Sequence, residues 1–271
     1  MAPGPERAGR GAVTAIPEEA ARGFERGAAA YERGRPGYPE AAIARLADEL
    51  DLGPERVIVD LAAGTGKLTR ALLGLGAELI AVEPVAGMRD QLRHAVPGVD
   101  VRDGTAEHMP LDDASADAVL VAQAFHWFDV PAAAVEIHRV LVPGGGLGVV
   151  RNEWDESVAW IVAMRDLIAE HASRVERDRS DDWRDALAAT GLFSPYQEAM
   201  FPNPVRVDVD TLRARVASLS FVALLNDAPR ERLLDAVADL VAERDLVGAD
   251  GLLDTPYRTH ITWCRRVRDI A

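Results

Sequence analysis

The sequence predicts an α/β fold: a doubly wound sheet of seven strands, mostly parallel with an antiparallel edge, and a helical cap inserted before the last strand. Short apolar runs rich in β-branched residues alternate with helical segments up to residue 151, which is typical of a parallel sheet with helices on both faces. After Trp154 helical segments dominate, and two further strands are predicted. We therefore expect five parallel strands followed by a late edge pair.

The first part of the chain supplies the parallel strands and the helices between them. Val57 to Val59 is apolar and β-branched, so it suits a strand that is buried on both faces. Gly64 and Gly66 follow as a turn, and a helix should begin directly after Gly66. The predicted elements are helix 39–51, strand 57–61, helix 67–75, strand 78–83, helix 86–95, strand 98–102, strand 117–122, helix 131–140 and strand 146–151.

The second part of the chain should complete the sheet and cover it. Its predicted elements are helix 157–173, a charged stretch 174–185 forming a solvated helix face or a loop, a strand near 195–202, helices near 209–219 and 229–245, and a strand near 257–267. The two late strands should pair as an antiparallel edge, with the helices between them forming a cap. Apolar residues of the last predicted helix are expected to pack against the core: Leu233, Leu234, Val237, Leu240 and Val241.

We expect one structural domain made of three segments. Residues 1–23 are predicted to be mobile, and residues 24–152 to form the ligand-binding core. Residues 153–271 should complete the sheet and carry the cap at about 204–255. A chain of 271 residues, of which 48% are hydrophobic, is long enough to form one large domain with an insertion.

Composition excludes several classes of function. The formal net charge of -14 opposes binding to a phosphate backbone, so no nucleic-acid partner is expected. No segment suits a signal peptide or a membrane span, which predicts a cytoplasmic protein without membrane association. The six histidines show no metal-ligand spacing, so no metal is expected. The single cysteine, Cys264, should be a buried and inert thiol.

The segment from Asp60 to Gly66 predicts a ligand site, because an acid ends a buried strand and a glycine turn follows. In open parallel sheets the carboxyl ends of the strands form the ligand crevice. Asp60, Ala62, Gly64 and Gly66 are therefore expected to line it. Glycine lacks the Cβ atom that would keep a ligand away from the backbone.

Two phosphate-binding alternatives fit this turn less well. A P-loop needs glycine and then Ser or Thr at the positions that Leu61 and Leu68 occupy. A dinucleotide fingerprint needs a small residue where Thr69 stands, which weakens that interpretation without excluding it. Lys67 is the only lysine of the chain and has no tyrosine four residues before it, so a Tyr-x-x-x-Lys dyad for nicotinamide reduction cannot form.

A second acid favours a nucleoside ligand. Glu83 ends the apolar strand 78–83 and lies nineteen residues after Gly64. An acid at about this distance accepts hydrogen bonds from ribose hydroxyls in nucleoside sites. The alternative is an ordinary strand-end carboxylate that faces water, and the glycine turn before it argues against this.

Five motifs in order resemble those of the class I S-adenosylmethionine (SAM) dependent methyltransferases. They occupy residues 60–66, residues 82–84 with Met88, and residues 103–110, 119–128 and 141–146. The first glycine of the family's first motif is Ala62 here. The resemblance covers residues 24 to 152 and implies a Rossmann-like fold with SAM as cofactor. Residues 31–39 and 125–128 look most like the small-molecule branch that contains trans-aconitate methyltransferases.

The resemblance implies roles in cofactor binding. The backbone from Ala62 to Gly66, with Thr65, would hold the methionyl part and the ribose, and Glu83 would accept the ribose diol. Further residues are assigned to the adenine and the sulfonium: Pro84, Met88, Asp103, Thr105, Ala106, Ala122 and Gln123. Tyr31 and Arg35 are expected to close over the methionyl carboxylate, with Arg35 as its ion partner, or else to be turn residues.

The resemblance implies methyl transfer to a small-molecule acceptor. His126 is the candidate general base, with packing or a substrate contact as the alternative. The aromatic residues that should either line the acceptor pocket or belong to the core are Phe125, Trp127, Phe128 and Trp154. Arg151 is expected to bind an acceptor carboxylate or to form a surface ion pair.

Three other functions stay open. The first is a SAM-dependent enzyme that does not methylate, such as a cyclase, and the second is a SAM-binding module without catalysis. A nicotinamide oxidoreductase is the weakest. No pattern in the sequence specifies the acceptor atom or an oligomeric state.

Overall fold

The computed structural model describes residues 35–171 and 183–267, and within them seven strands form one sheet. The strands are β1 (Val57–Leu61), β2 (Glu78–Val82), β3 (Asp100–Arg102), β4 (Ala116–Ala122), β5 (Leu141–Trp154), β6 (Gln197–Val207) and β7 (Leu253–Arg265). Their order is β3-β2-β1-β4-β5-β7-β6. Strands β1 to β5 pair in parallel, and β7 pairs antiparallel with both β5 and β6. The predicted fold class is confirmed.

In the described part of the chain, the α-helices lie between consecutive strands, except for one that precedes β1. They are α1 (Glu40–Leu50), α2 (Lys67–Leu72), α3 (Ala86–Ala95), α4 (Val130–Val140), α5 (Ala159–Ala169), α6 (Trp183–Ala189), α7 (Val209–Ala217), α8 (Ser220–Ala223) and α9 (Asp227–Glu243). Local capping fixes two of the helix starts. The Asp129 carboxylate accepts the Ala132 N–H ahead of α4, and the Asp208 carboxylate accepts the Thr211 N–H ahead of α7.

Both faces are buried at the central strands β1 and β4, and consecutive residues of each strand point to opposite faces. Ile58 and Leu120 pack with α1 and α2 on one face. Val59 and Val119 pack with α4 and α6 on the other. This arrangement explains why β1 and β4 read as continuous apolar runs rather than as alternating ones.

The cap has a hydrophobic core of its own, separate from the two faces of the sheet. Most of its buried residues come from α5, α7 and α9, among them Ile161, Val216 and Val237, and α8 and β7 add Val222 and Leu253. Four of the five residues predicted to pack here are buried and Leu240 is partly buried. Because α7 is fixed in this core, it holds its inward-facing side chains at defined positions above the sheet.

The structure differs from the predicted elements at several strand ends and at one helix. Strand β5 continues to Trp154 and β6 to Val207, and β7 already begins at Leu253, so the segment between β6 and β7 is shorter than the cap predicted at about 204–255. Strand β5 begins at Leu141 rather than at residue 146, because Leu141 pairs with Ala116 across an irregularity before regular pairing resumes at Gly146. Helix α6 starts at Trp183, inside the stretch predicted to be a charged loop or helix face. Trp183 is buried against Phe125, with ring centroids 4.7 Å apart, so packing fixes this start.

Three remaining groups of predictions concern residues that the structure does not describe, the single cysteine, and membrane-spanning helices. The segment 1–23, Tyr31 and residues 174–182 are outside the described residues. Cys264 is buried, as expected, and burial raises the pKa of its thiol to about 12. In the described ranges, no helix has the length and apolarity that a membrane span requires.

Candidate functional site

The candidate site lies at the carboxyl ends of β1, β2 and β4. Four residues there have left-handed backbones: Ala62 with φ 56°, Gly64 with φ 57°, Gly66 with φ 85° and Gln123 with φ 60°. A non-glycine residue in this conformation costs about 1–2 kcal/mol, and such residues cluster at ligand sites. A Cβ atom on Gly64 would lie 3.8 Å from Met88 Sδ, so backbone conformation rather than crowding favours glycine.

Glu83 joins the glycine turn to the end of β2. One carboxylate oxygen accepts the N–H of Gly64 at 2.9 Å, and the other accepts the N–H of Val85 at 2.9 Å. The side chain is buried, and this burial raises the pKa of Glu83 against the lowering effect of the two hydrogen bonds. Each oxygen has a second lone pair, so the carboxylate keeps acceptor capacity for a ligand.

Asp60, near the end of β1, is a second buried acid. Its Oδ2 atom accepts the hydroxyl of Thr69 at 2.5 Å. Its Oδ1 atom is buried and has no hydrogen-bond partner among the described residues. Burial raises the pKa of Asp60 to about 7. Asp60 lines none of the three cavities described below, so its expected contact with the ligand stays a prediction.

A small cavity follows the end of β2, where the adenine was expected. It is lined by Pro84, Thr105, Ala106, Trp127 and Phe128, among other residues. Asp103 is engaged elsewhere, because Arg89 donates to its two oxygens at 3.0 and 3.1 Å. The guanidinium of Arg89 also donates to the carbonyl oxygen of Glu83 at 2.8 Å. Asp103 therefore fixes Arg89 against the strand end.

The main cavity measures about 240 Å³ and lies between the strand ends and the cap. The strand ends and the turns after them supply Ala62, Gly64, Glu83, Met88, Ala122 and Gln123 to its walls. The turn after β4 supplies His126 and Trp127, and the cap supplies Arg215, Leu219 and Phe221. Arg35 lines it from the amino-terminal side. Nine of the predicted site residues thus line one cavity.

A smaller cavity of about 30 Å³ adjoins the glycine turn. Thr65 and Lys67 line it, and it shares Arg35, Gln123 and Arg215 with the main cavity. Lys67, the only lysine of the chain, therefore stands at the rim of the site, at the first position of α2.

Besides Asp60 and Asp103, four described residues that were predicted for the site line none of the three cavities. Phe125 is only 1% exposed and packs in the core against Phe128 and Trp183, so it is not a pocket wall. Arg151 forms an ion pair with Glu153, which agrees with the surface alternative. Trp154 lies beneath the guanidinium of Arg215. Gly66 faces α3, because a Cβ atom there would lie 3.0 Å from Leu92 Cγ.

Asn152 is a buried site residue that the sequence analysis missed. Its amide nitrogen donates to the carbonyl oxygen of Gly37 at 2.9 Å, and its amide oxygen accepts the hydroxyl of Thr259 at 2.6 Å. The amide of Asn203 donates to both Asn152 Oδ1 and Gly37 O. This network fixes the segment that carries Arg35 against the sheet. The signal was an asparagine one residue after the predicted strand 146–151.

Arg215 was also missed, because nothing in its local sequence distinguishes it from other arginines of the cap. It is 9% exposed and lines both the main and the smaller cavity.

The donors and acceptors of the site suit SAM. Glu83 lines the main cavity and offers acceptors for a ribose diol. The left-handed turn at Gly64 leaves room for a ligand next to the backbone. A cavity with few convergent polar groups and acids of raised pKa is typical of a cofactor site.

Comparison with known proteins decides the family. A model of the methyltransferase domain matches residues 59–149. A protein from Mycobacterium tuberculosis, named an uncharacterized methyltransferase, is 40% identical over 230 residues, which cover 85% of this chain and 90% of that protein. The chain belongs to the class I SAM-dependent methyltransferases. This methyltransferase uses SAM as its cofactor, and the expected reaction class is confirmed.

Solved structures agree with the fold of this methyltransferase. A protein from Anaeromyxobacter dehalogenans assigned as a type II methyltransferase is 25% identical, with a TM-score of 0.59 over 86% of this chain and 97% of that one. Phosphoethanolamine N-methyltransferase 2 of Haemonchus contortus, solved with S-adenosylhomocysteine (SAH), is 15% identical. Its TM-score is 0.58, over 94% of this chain and 61% of that one.

Proposed function

We propose that this methyltransferase methylates a small-molecule acceptor bound in the capped cavity. The observation that carries the proposal is that the cap residues Arg215, Leu219 and Phe221 line the same cavity as Gly64 and Glu83. A cavity of about 240 Å³ closed by a helical cap suits a small molecule better than a segment of a macromolecule. The net charge of -14 disfavours a nucleic-acid acceptor.

The proposal assigns the cofactor to the glycine turn and the end of β2. Glu83 accepts the ribose hydroxyls, and Pro84, Met88, Thr105 and Ala106 surround the adenine. Arg35 pairs with the methionyl carboxylate, held in place by the bond from Asn152 to Gly37. The assignment of Tyr31 to the same carboxylate stays a sequence prediction.

The residues of the cavity act mainly by positioning. When bound, SAM supplies a methyl group that the sulfonium charge activates. Gln123, Trp127 and Phe221 hold the acceptor over that position and exclude water. Correct orientation of two reactants lowers a barrier by about 7–11 kcal/mol. His126 lines the cavity and accepts a proton where the acceptor must lose one during attack.

The proposal also includes the branch of the family and the cellular location. The segments at residues 31–39 and 125–128 support the branch that contains trans-aconitate methyltransferases. A cytoplasmic location also stays a prediction. The competing function is a SAM-dependent conversion without methylation, which would consume SAM but release no SAH by methyl transfer.

The deciding experiment has two steps. Calorimetric titration of the purified protein with SAM and SAH first measures cofactor binding. The protein is then incubated with methyl-labelled SAM and a panel of small carboxylic acids, phenols and amines, and both SAH and labelled product are measured. We expect binding in the micromolar range and equal amounts of the two products. Absence of SAM and SAH binding, or labelling of added proteins but of no small molecule, would contradict the proposal.

A further inference from the structure

Gln123, the first residue after β4, lines both the main and the smaller cavity. Its backbone has φ 60°, a left-handed conformation that is uncommon for residues other than glycine. Its N–H donates to the carbonyl oxygen of Val150 at 3.0 Å, which continues the pairing of β4 with β5. Strain of this kind persists where the surrounding structure fixes it, and it is concentrated at functional sites. The end of β4 therefore holds the Gln123 side chain at a defined place on the cavity wall.

The orientation of the Gln123 side-chain amide is also fixed. Its Nε2 atom donates to the backbone carbonyl oxygen of Asn152 at 3.0 Å. A carbonyl oxygen only accepts hydrogen bonds, so the amide nitrogen rather than the amide oxygen must face it. Asn152 is in turn held by its bonds to Gly37 and Thr259. This network determines which end of the Gln123 amide is left for a ligand.

The amide oxygen of Gln123, Oε1, is the end that a ligand can reach. Oε1 accepts no hydrogen bond from the residues that the structure describes, and it is not one of their fully buried polar atoms. Because Gln123 lines both cavities, we place this accessible atom at the site. An amide oxygen has two lone pairs and no hydrogen to donate. The wall of the site therefore offers a fixed hydrogen-bond acceptor.

Apolar side chains line the main cavity together with this oxygen. Trp127 comes from the turn after β4, and Leu219 and Phe221 come from the cap. Leu219 and Phe221 are partly buried against the core of the cap, where their neighbour Val222 is fully buried, so this wall is anchored. Apolar walls favour a ligand with an apolar body, because contact removes the surfaces of both from water.

We propose that Gln123 Oε1 accepts a hydrogen bond from a hydroxyl or amino group of the acceptor, while the apolar body of the acceptor packs on Trp127, Leu219 and Phe221. This inference rests on the proposed function and names the acceptor class. The enzyme selects small molecules that combine an O–H or N–H donor with an apolar body. A molecule of the same shape without the donor leaves Oε1 without a partner in a closed site, and is therefore bound less well.

The test measures binding to the complex of the protein with SAH. Phenol and aniline are titrated and compared with toluene, and benzyl alcohol is compared with ethylbenzene, since the hydrocarbons have nearly the same shapes without the donor. Nuclear magnetic resonance of the ligands follows binding. We expect the donor compounds to bind about fivefold or more tightly than the matched hydrocarbons, the effect of one hydrogen bond. If no donor compound binds, or if the hydrocarbons bind equally well, the proposal is wrong.

Variants then assign the preference to the residue. Gln123→Met keeps the length of the side chain and an unbranched Cβ but removes the amide, so the ratio of the two affinities should fall to about one. Gln123→Asn suits a left-handed backbone and withdraws the oxygen by one methylene group. It should also lose the preference, and it repeats the test should Gln123→Met fail to fold. The control is Gln197→Met at the exposed start of β6, which should keep the wild-type ratio.

The outcomes separate this inference from the proposed function. If the wild-type protein fails to bind SAH, the proposed function itself fails. If SAH binds and Gln123→Met keeps the full preference for donor compounds, only the role of Gln123 is refuted. A purely structural role would weaken the binding of phenol and toluene by the same factor and leave their ratio unchanged. Weaker SAH binding with an unchanged ratio would assign Oε1 to the cofactor and overturn the inference.

Discussion

The carboxylate of Glu83 accepts the backbone N–H of Gly64 at 2.9 Å, across nineteen residues of sequence. This bond connects the turn after β1 to the end of β2, so that the two motifs form one surface. Glu83 also accepts the N–H of Val85, which positions the start of α3. The acid thus organises the backbone around the ligand crevice in addition to facing it.

Glu83→Gln should weaken SAM binding. The amide group replaces one acceptor oxygen by a donor, which faces a backbone N–H where the carboxylate accepted one. Loss of a hydrogen bond to a charged group costs about 1.5–3 kcal/mol, so we expect SAM affinity to fall by about tenfold or more. Calorimetric titration measures the SAM affinity. Glu78→Gln is the matched control, because Glu78 begins the same strand and is exposed. Equal SAM affinities of the two variants would refute the role of Glu83 in SAM binding.

Gly66→Ala should destabilise the fold rather than act on the ligand directly. The backbone has φ 85°, and a Cβ atom would lie 3.0 Å from Leu92 Cγ and 3.2 Å from Val96 Cγ2. We expect the free energy of unfolding to fall by about 1–3 kcal/mol. Urea denaturation measures the change. Gly74→Ala, where nothing lies within 4 Å, should leave stability equal or higher; an equal loss in both variants would exclude the steric explanation.

Asp60 should make stability fall as pH rises. Its pKa is about 7 in the folded protein against an ordinary 3.8, so between these values the folded state keeps a proton that the unfolded chain has lost. The free energy of unfolding therefore decreases from about pH 4 to about pH 7, by at most about 1.4 kcal/mol per pH unit from this group. Below that window both states are protonated and the penalty is absent.

The comparison of wild type with Asp60→Asn isolates this contribution. The free energy of unfolding of both proteins is measured by denaturation across the same pH range. As pH rises, it should fall more for the wild type than for Asp60→Asn. Asp90→Asn removes an exposed carboxylate on α3 and serves as the control. A difference between wild type and Asp60→Asn that stays constant with pH would contradict a raised pKa.

Asn152→Ala should loosen the amino-terminal segment over the site. It removes the bond to Gly37 O and leaves the buried hydroxyl of Thr259 without its acceptor. We expect a loss of about 1–3 kcal/mol in stability and weaker binding of SAH, because Arg35 is carried by this segment. Thermal unfolding and calorimetry measure the two effects. Asn226→Ala, at an exposed helix start without a side-chain capping bond, should change neither; unchanged SAH affinity in Asn152→Ala would refute the link.

The parallel part of the fold was predictable because local pattern and tertiary position agree there. Strand 57–61 and helix 86–95 were predicted with the bounds that the structure has. The early start of β5 was not predictable, because it depends on the pairing of Leu141 with Ala116 across an irregularity. Pro143 and Gly144 are residues typical of turns, so the sequence around Leu141 does not read as a strand.

Part of the candidate site was likewise predictable from the sequence, and part was not. The spacing from Gly64 to Glu83 predicted one end of it, because consecutive parallel strands bring their carboxyl ends together. Asn152 and Arg215 come from β5 and from the cap, and their positions depend on how distant elements pack. The local sequence around Asn152 and Arg215 does not predict how these elements pack.

The position of Lys67 makes the site accessible to a simple chemical label. It is the only lysine of the chain, and it lines the smaller cavity at the start of α2. An amine-reactive reagent has one side-chain target in this protein, and that target is next to the glycine turn. We expect bound cofactor to slow the modification of Lys67, so that its rate, followed by mass spectrometry, would report cofactor occupancy without an engineered reporter.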